Sequence, residues 1–314
     1  MANDEAYDPS GHSLVNCMDD IALRYLTLLK KSLLDELYIE NEARLVYIVL
    51  CLLSGAAIEE DTIRNIEQRR ADIVTRLRHA RQQGEISFMW SIRQSDGTVR
   101  EVNLRNVSET YHTMIGHKRL DNIQALLDAI VRDGIPGDLI ETGVWRGGAT
   151  IFMRGYLAAR GIRDRRVWVA DSFAGLPVPS AHQDVGYDFS STVFPILAIS
   201  RQAVEELFRR YELLDDQVKF LEGWFKDTLP TAPIERLALL RLDGDLYEST
   251  RDALTHLYHK VSLGGFIIVD DYFDFQPCRR AVDEFRANVG DTAALQQIDW
   301  TAVYWRKGVV TNDS

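Results

Sequence analysis

Five short apolar runs, each closed by polar residues, lie between Asp138 and Tyr272: DLIETG, RVWVADSF, VKFLEG, LALLRLDGD and GFIIVDDY. Helical stretches or long connections separate them. Apolar runs of this kind need cover on both faces, and their alternation with helices supplies it, so the order predicts an α/β domain with a parallel sheet between helical layers. Ligands of such sheets gather beyond the carboxyl ends of the strands. The residues that close each run are therefore the functional candidates.

Ahead of the runs the pattern is different. Apolar spacing predicts helices over 21–37, 43–53 and 61–83, the last stopped by Gly84. Ser95-Asp96-Gly97 is a turn signal between two strand-forming stretches. We therefore expect a largely helical N-terminal region over residues 1–107, with a hairpin near 86–104, and a sheet domain over 108–314. The most apolar window, Leu45–Ala57, is shorter than the roughly 20 residues of a membrane span and reads as a buried helix. The arginines of 61–83 read as a solvated helix face.

Charge narrows the partners. Thirty-six basic against 47 acidic residues give a net charge of −11, which opposes broad attraction to phosphate backbones or anionic membranes. Neither nucleic acid nor membrane insertion is expected. Cys17, Cys51 and Cys278 lie far apart without CxxC spacing, which points to no disulfide framework or zinc site. The start, MANDEAYDPSGH, lacks the basic and then apolar pattern of a secretory signal, so a cytoplasmic location is expected.

The strand ends carry distinct chemistry. ETGVWRGGAT, Glu141–Thr150, places Gly143, Gly147 and Gly148 in a turn that opens a helix, either for close approach of backbone to a ligand or simply for a tight turn. It departs from the GxGxxG dinucleotide pattern. Asp171 ends the second run, where an acidic residue accepts hydrogen bonds from ribose hydroxyls or caps a helix. Trp224 and Phe225 follow Gly223 after the third, as a platform for adenine or as core. The fourth run ends at Asp243 and Asp245, the fifth at Asp270 and Asp271. If these strands are parallel neighbours, Asp243 meets Asp270 and Asp271, and three converging carboxylates call for a proton or a cation. Mg2+ suits such oxygen ligands, whereas capping of the next turn needs one Asp rather than two. His256 and His259, with HxxH spacing, fall on the helix after Asp245 and read as packing or surface residues.

TMIGHKRLDNIQALL, GDLIETGVWRGGATIFMRG, VWVADSFAGLP, FLEGWFKDTLP, LRLDGDLYEST, GGFIIVDDY and the ending IDWTAVYWRKG together resemble the macrocin O-methyltransferase family, from about Tyr111 to Gly308. The resemblance implies a Rossmann-like class I methyltransferase with a mostly parallel seven-stranded sheet. It implies S-adenosylmethionine as methyl donor, Mg2+ as metal and a small-molecule glycoside as acceptor. Glu141, Gly143, Gly147 and Gly148 would surround the methionine part and Asp171 the ribose. Ser172, Gly223 and Trp224 would lie near the adenosine, and Thr113, Met114 and Ile115 would close over the cofactor. Asp243, Asp270 and Asp271 would hold the metal, with Asp243 as general base.

Residues 174–200 resemble the family's substrate-covering segment and suit either a lid or a loop packed permanently in place. The region from Glu42 to about Ile92 is expanded relative to the family's shorter members, where that part shapes substrate access or the oligomer contact; a homo-oligomer is expected. Alternatives are a phenolic or catechol-like acceptor, a non-catalytic cofactor-binding scaffold and an NAD-dependent dehydrogenase.

Overall fold

The structure, a computed structural model, describes residues 10–84, 87–94, 96–105 and 111–308. The first nine residues, the Ser95 corner of the hairpin and the expected boundary near residue 107 lie outside them, as does the side chain of Cys17.

The N-terminal region divides between two cores. Helix α1 (Ser10–Leu33) packs Leu26, Leu29 and Leu33 into the main core of the sheet domain. Helix α2 (Ile39–Ser54), which contains most of the apolar window, ends at Gly55 in the left-handed conformation. The single helix expected over 61–83 is broken into α3 (Glu60–Arg64), α4 (Ile66–Arg69) and α5 (Ala71–Gln83), because Asn65 and Arg70 leave helical geometry. Each break turns a new apolar group inward: Ile66, then Ile73, Val74 and Leu77. Gly84 stops α5 as expected, with φ +73°. Strands β1 (Ser87–Arg93) and β2 (Val99–Arg105) form the antiparallel hairpin and complete a separate core with α2, α4 and α5.

The sheet domain follows the expected alternation. Its elements are α6 (Gly116–Arg132), β3 (Asp138–Thr142), α7 (Gly148–Ala159), β4 (Val167–Asp171), α8 (Arg201–Arg210), β5 (Val218–Glu222), α9 (Phe225–Thr228), β6 (Leu237–Leu242), α10 (Tyr247–Leu257), β7 (Val261–Val269), α11 (Gln276–Val289), β8 (Gln296–Gln297) and β9 (Val303–Arg306). The seven strands run in the order β5-β4-β3-β6-β7-β9-β8. The first five are parallel, and β9 and β8 close the edge antiparallel. One hydrophobic core lies on each face of this sheet. Cys51 and Cys278 are buried free thiols. Among the described residues no helix is long and apolar enough to cross a membrane.

The chain leaves β3 toward β4 on one side and returns to β6 on the other, so the direction of winding reverses between β3 and β6. The connections that leave β3 and β6 turn to opposite faces of the sheet, which opens a crevice between them. Register makes the gathering of carboxylates there unavoidable: Thr142 pairs with Leu242 and Leu242 with Val269, so Asp243 and Asp270 are next neighbours past the ladder. Gly143 sits in the same row. A Cβ at Gly143 would lie 1.7 Å from the carbonyl oxygen of Asp243, and its φ of +89° also suits glycine.

Gly143→Ala is expected to cost about 3 kcal/mol of stability through clash and backbone strain together. Gly161→Ala, at φ +65° in open space, should cost only about 1 kcal/mol. Denaturant midpoints at unchanged m-value measure the difference, and equal losses would refute the close-approach argument.

Candidate active site

Past the carboxyl ends of the parallel strands lies a cavity of about 880 Å3. Its wall combines strand-end residues with parts of the 174–200 segment (175–178, Ser180, Phe189, Phe194, Ile196 and Leu197), Gly84, Met114, Ile115 and Trp300. Of the residues expected around a cofactor, Met114, Ile115, Gly143, Asp171, Ser172, Gly223 and Trp224 line it. Thr113, Glu141, Gly147 and Gly148 do not. Gly147 and Gly148 instead let α7 start against its neighbours, since a Cβ would meet Val204 at the first and the His112 carbonyl at the second. Thr113 is the buried packing partner of Gly148.

Asp171 ends β4 with its carboxylate fixed by backbone. Val144 N–H donates to one oxygen at 2.7 Å and Phe173 N–H to the other at 2.7 Å. Burial raises its pKa, with these hydrogen bonds opposing. No α-helix begins near Asp171, the next being α8, so the helix-cap alternative is not realised. The carboxylate is clamped to the glycine turn after β3. Trp224 is 37 % exposed and lies open to the cavity. Phe225, which also borders it, packs against the second core.

The carboxylates converge with one change from expectation. Asp243, Asp245 and Asp271 each offer an oxygen within 4.8 Å of the others. Asp270, expected in that set, instead accepts hydrogen bonds from two guanidiniums, Arg241 on one oxygen and Arg119 on the other. The reason is Arg241, wholly buried one residue before the end of β6. Its fork reaches Asp270, Glu141 and Asp243, the last at 2.6 Å. Arg119, from α6, also binds Asp299 at 2.7 Å. Glu141 thus belongs to this buried ion network rather than to the cavity wall.

Two guanidiniums face six carboxylates here: Glu141, Asp243, Asp245, Asp270, Asp271 and Asp299. The excess of negative charge appears in the proton affinities. Burial raises Glu141 to about 8 against the pull of Arg241. Burial raises Asp243 to about 6, again with Arg241 opposing. Burial and then the Asp243 charge raise Asp245 to about 8. Burial followed by Asp245 and Asp243 pushes Asp271 well up. One oxygen of Asp271 is buried without a hydrogen-bond partner among the described residues. Hard oxygen donors, an unpartnered buried carboxylate oxygen and mutual repulsion together suit a divalent cation.

Three of these contributors escaped the sequence reading: Arg241, Arg119 and the ligand position of Asp245. A charged residue inside the apolar run LALLRL is the signal that marks Arg241. His256 and His259 lie away from the cavity wall, the first in the last turn of α10 and the second just after it.

Known proteins share this architecture and sequence. The family model described as macrocin-O-methyltransferase (TylF) matches residues 22–307. A demethyldecarbamoylnovobiocin O-methyltransferase of Streptomyces niveus is 53 % identical over 224 residues, which is 68 % of this chain and 83 % of that protein. An 8-demethyl-8-(2,3-dimethoxy-alpha-L-rhamnosyl)-tetracenomycin-C 4'-O-methyltransferase of Streptomyces olivaceus is 53 % identical over 198 residues, 62 % of this chain and 75 % of that protein. The solved structure of the O-methyltransferase NovP superposes with a TM-score of 0.70 at 41 % identity, over 91 % of this chain and 99 % of that one. The chain therefore belongs to the macrocin O-methyltransferase (TylF) family of S-adenosylmethionine-dependent O-methyltransferases.

Proposed function

We propose that this protein transfers a methyl group from S-adenosylmethionine to a hydroxyl of a sugar carried by a glycosylated natural product, and that a divalent cation, Mg2+, assists. The observation that carries this reading is the trio Asp243, Asp245 and Asp271 in the wall of the cavity, with a buried oxygen of Asp271 left unpartnered. The sugar is supported by the relatives' names, one of which specifies a rhamnosyl acceptor.

Asp243, Asp245 and Asp271 would hold the cation, and the two arginines fix Asp270 behind them. When bound, the cation lowers the pKa of an acceptor hydroxyl that is otherwise a poor nucleophile. Asp243 takes the hydroxyl proton as the oxygen–methyl bond forms and the carbon–sulfur bond breaks, leaving neutral S-adenosylhomocysteine. In the cation-free protein burial raises the pKa of Asp243 to about 6, so its proton affinity is above that of an ordinary aspartate before the cation binds. Arg241 holds one Asp243 oxygen and so sets the direction of the other. Asp171, fixed by backbone, receives the ribose hydroxyls, and Trp224 offers a face to the adenine. The segment 174–200 excludes water from the acceptor side.

Chelation by EDTA should abolish methyl transfer from labelled S-adenosylmethionine to a glycoside panel, and Mg2+ should restore it. Asp243→Asn is expected to lower kcat by about 100-fold or more with S-adenosylhomocysteine affinity unchanged. Asp245→Asn should raise the Mg2+ concentration needed for half-activity, while Asp270→Asn, which unbalances Arg119 and Arg241, should chiefly lower thermal stability. Full activity in EDTA would sink the cation reading.

The pKa values give a pH test. Raised folded-state values mean that the folded chain keeps protons on Asp245 and Asp271 that the unfolded chain has released above about pH 4. These groups therefore subtract from stability as pH rises toward 8. A cation that takes the place of those protons restores it, so the rise in Tm on adding saturating Mg2+ should be larger at pH 8 than at pH 6. A shift of equal size at both would contradict the assignment.

A further inference from the structure

Asp184 is a carboxylate within residues 174–200 that is completely buried yet lines no part of the cavity. It ends a short 3-10 turn, His182–Asp184. Its two oxygens accept the first backbone N–H groups of α10: Tyr247 N–H at 2.7 Å and Glu248 N–H at 3.1 Å. Leu246, at the N-cap of α10, has no capping side chain of its own. The cap therefore comes from a segment some 60 residues away in sequence. Negative charge at a helix N-terminus is the favourable sign. One further bond runs the same way, from Ser180 Oγ to Glu248 Oε2 at 2.5 Å.

What Asp184 grips is the loop that carries the chemistry. Between β6 and α10 lie only Asp243, Gly244, Asp245 and Leu246. Asp245 sits at φ +56°, a conformation that costs a non-glycine residue about 1 kcal/mol or more. Such a residue stays in place only when its neighbours hold it. Upstream, Asp243 N–H is bonded to Thr142 in the sheet. Downstream, the restraint on the start of α10 is Asp184.

We propose that Asp184 is a positioning residue: it latches the 174–200 segment onto the start of α10, so that enclosure of the acceptor side and alignment of Asp243 and Asp245 occur together. The latch goes beyond the cation reading of the site but uses it for one of its readouts. Without the carboxylate, two N–H groups at the start of α10 lose their partners, the segment loses its buried tie to α10, and the strained loop relaxes away from Asp271.

The test uses full-length D184A and D184N with S-adenosylhomocysteine bound. Deuterium exchange is followed over peptides 176–190 and 243–250, with Mn2+ and S-adenosylhomocysteine affinities measured by calorimetry. In D184A, exchange should accelerate in both segments together and Mn2+ should bind about tenfold more weakly, the scale of one lost charge-assisted cap. S-adenosylhomocysteine affinity should stay within about twofold, because no contact of Asp184 reaches the cofactor side. D184N, which keeps one acceptor oxygen, should show the same pattern in smaller measure, and it carries the test if D184A does not fold. Acceleration confined to one segment, or in both with unchanged Mn2+ affinity, would overturn the latch. So would an equal loss of Mn2+ binding, cofactor binding and thermal stability, which would assign Asp184 to general folding. Failure of the parent protein to bind Mn2+ would refute the cation reading instead, and the paired exchange would then decide the latch by itself.

Discussion

The guanidinium of Arg241 is the contact on which the sheet edge and the chemistry both depend. A charge so deeply buried costs several kcal/mol unless carboxylates surround it, and here they come from three neighbouring strands: Glu141 in β3, Asp243 past β6 and Asp270 past β7. Removing the arginine would leave these buried carboxyl groups facing one another without their shared donor, which would weaken the hold between the three strand ends. The same geometry that holds β3, β6 and β7 in register thus aims the candidate base. The network is not fully satisfied, since Arg241 Nε and one Glu141 oxygen lack partners among the described residues. Burial without full pairing is why Glu141 holds its proton up to about pH 8.

Much of this was legible in the sequence because it follows from periodicity. Apolar runs alternating with helices leave few arrangements other than a covered parallel sheet, and parallel order alone places Asp243 beside Asp270. Contacts between segments distant in sequence have no such signature. Arg119 lies on a helix whose charges resemble any solvated face, and only the fold turns it toward Asp270 and Asp299. Asp184 sits among polar loop residues, and nothing in HQDVG marks it as the cap of a helix that begins at Tyr247. The breaks at Asn65 and Arg70 were hidden for the opposite reason: the apolar spacing continues across them, while backbone geometry does not.

Strain collects where the strands deliver their functional residues. Trp145, Phe173 and Asp245 are non-glycine residues with φ between +47° and +56°, and they follow β3, β4 and β6 respectively. Two are held from outside their own strand, and Phe173 is held by the end of its own. Trp145 Nε1–H donates to the Ile196 carbonyl at 2.9 Å, Phe173 N–H to Asp171, and the helix after Asp245 is capped by Asp184. Two of these three restraints come from residues 174–200. That segment is therefore part of the force that shapes the site, rather than a cover laid over a finished one. Its aromatic residues extend the same role, since Phe189 packs on Phe275 at 5.0 Å, just beyond Asp271.

The N-terminal region reaches the cavity wall at Gly84. Gly84, at the end of α5, abuts Gly116, at the start of α6, so closely that a Cβ at Gly116 would lie 2.5 Å from the Gly84 nitrogen. Trp300 donates from Nε1 to the Gln83 carbonyl at 3.1 Å, which ties the loop before β9 to the same point. Gly84, Met114 and Trp300 all face the cavity. Arg119, one turn into α6, reaches inward to Asp270. The carboxylates are thus held from two sides, by Arg119 from α6 and by Arg241 from within the sheet, and the N-terminal elements border the cavity through Gly84 without supplying, among the described residues, any of its charged groups.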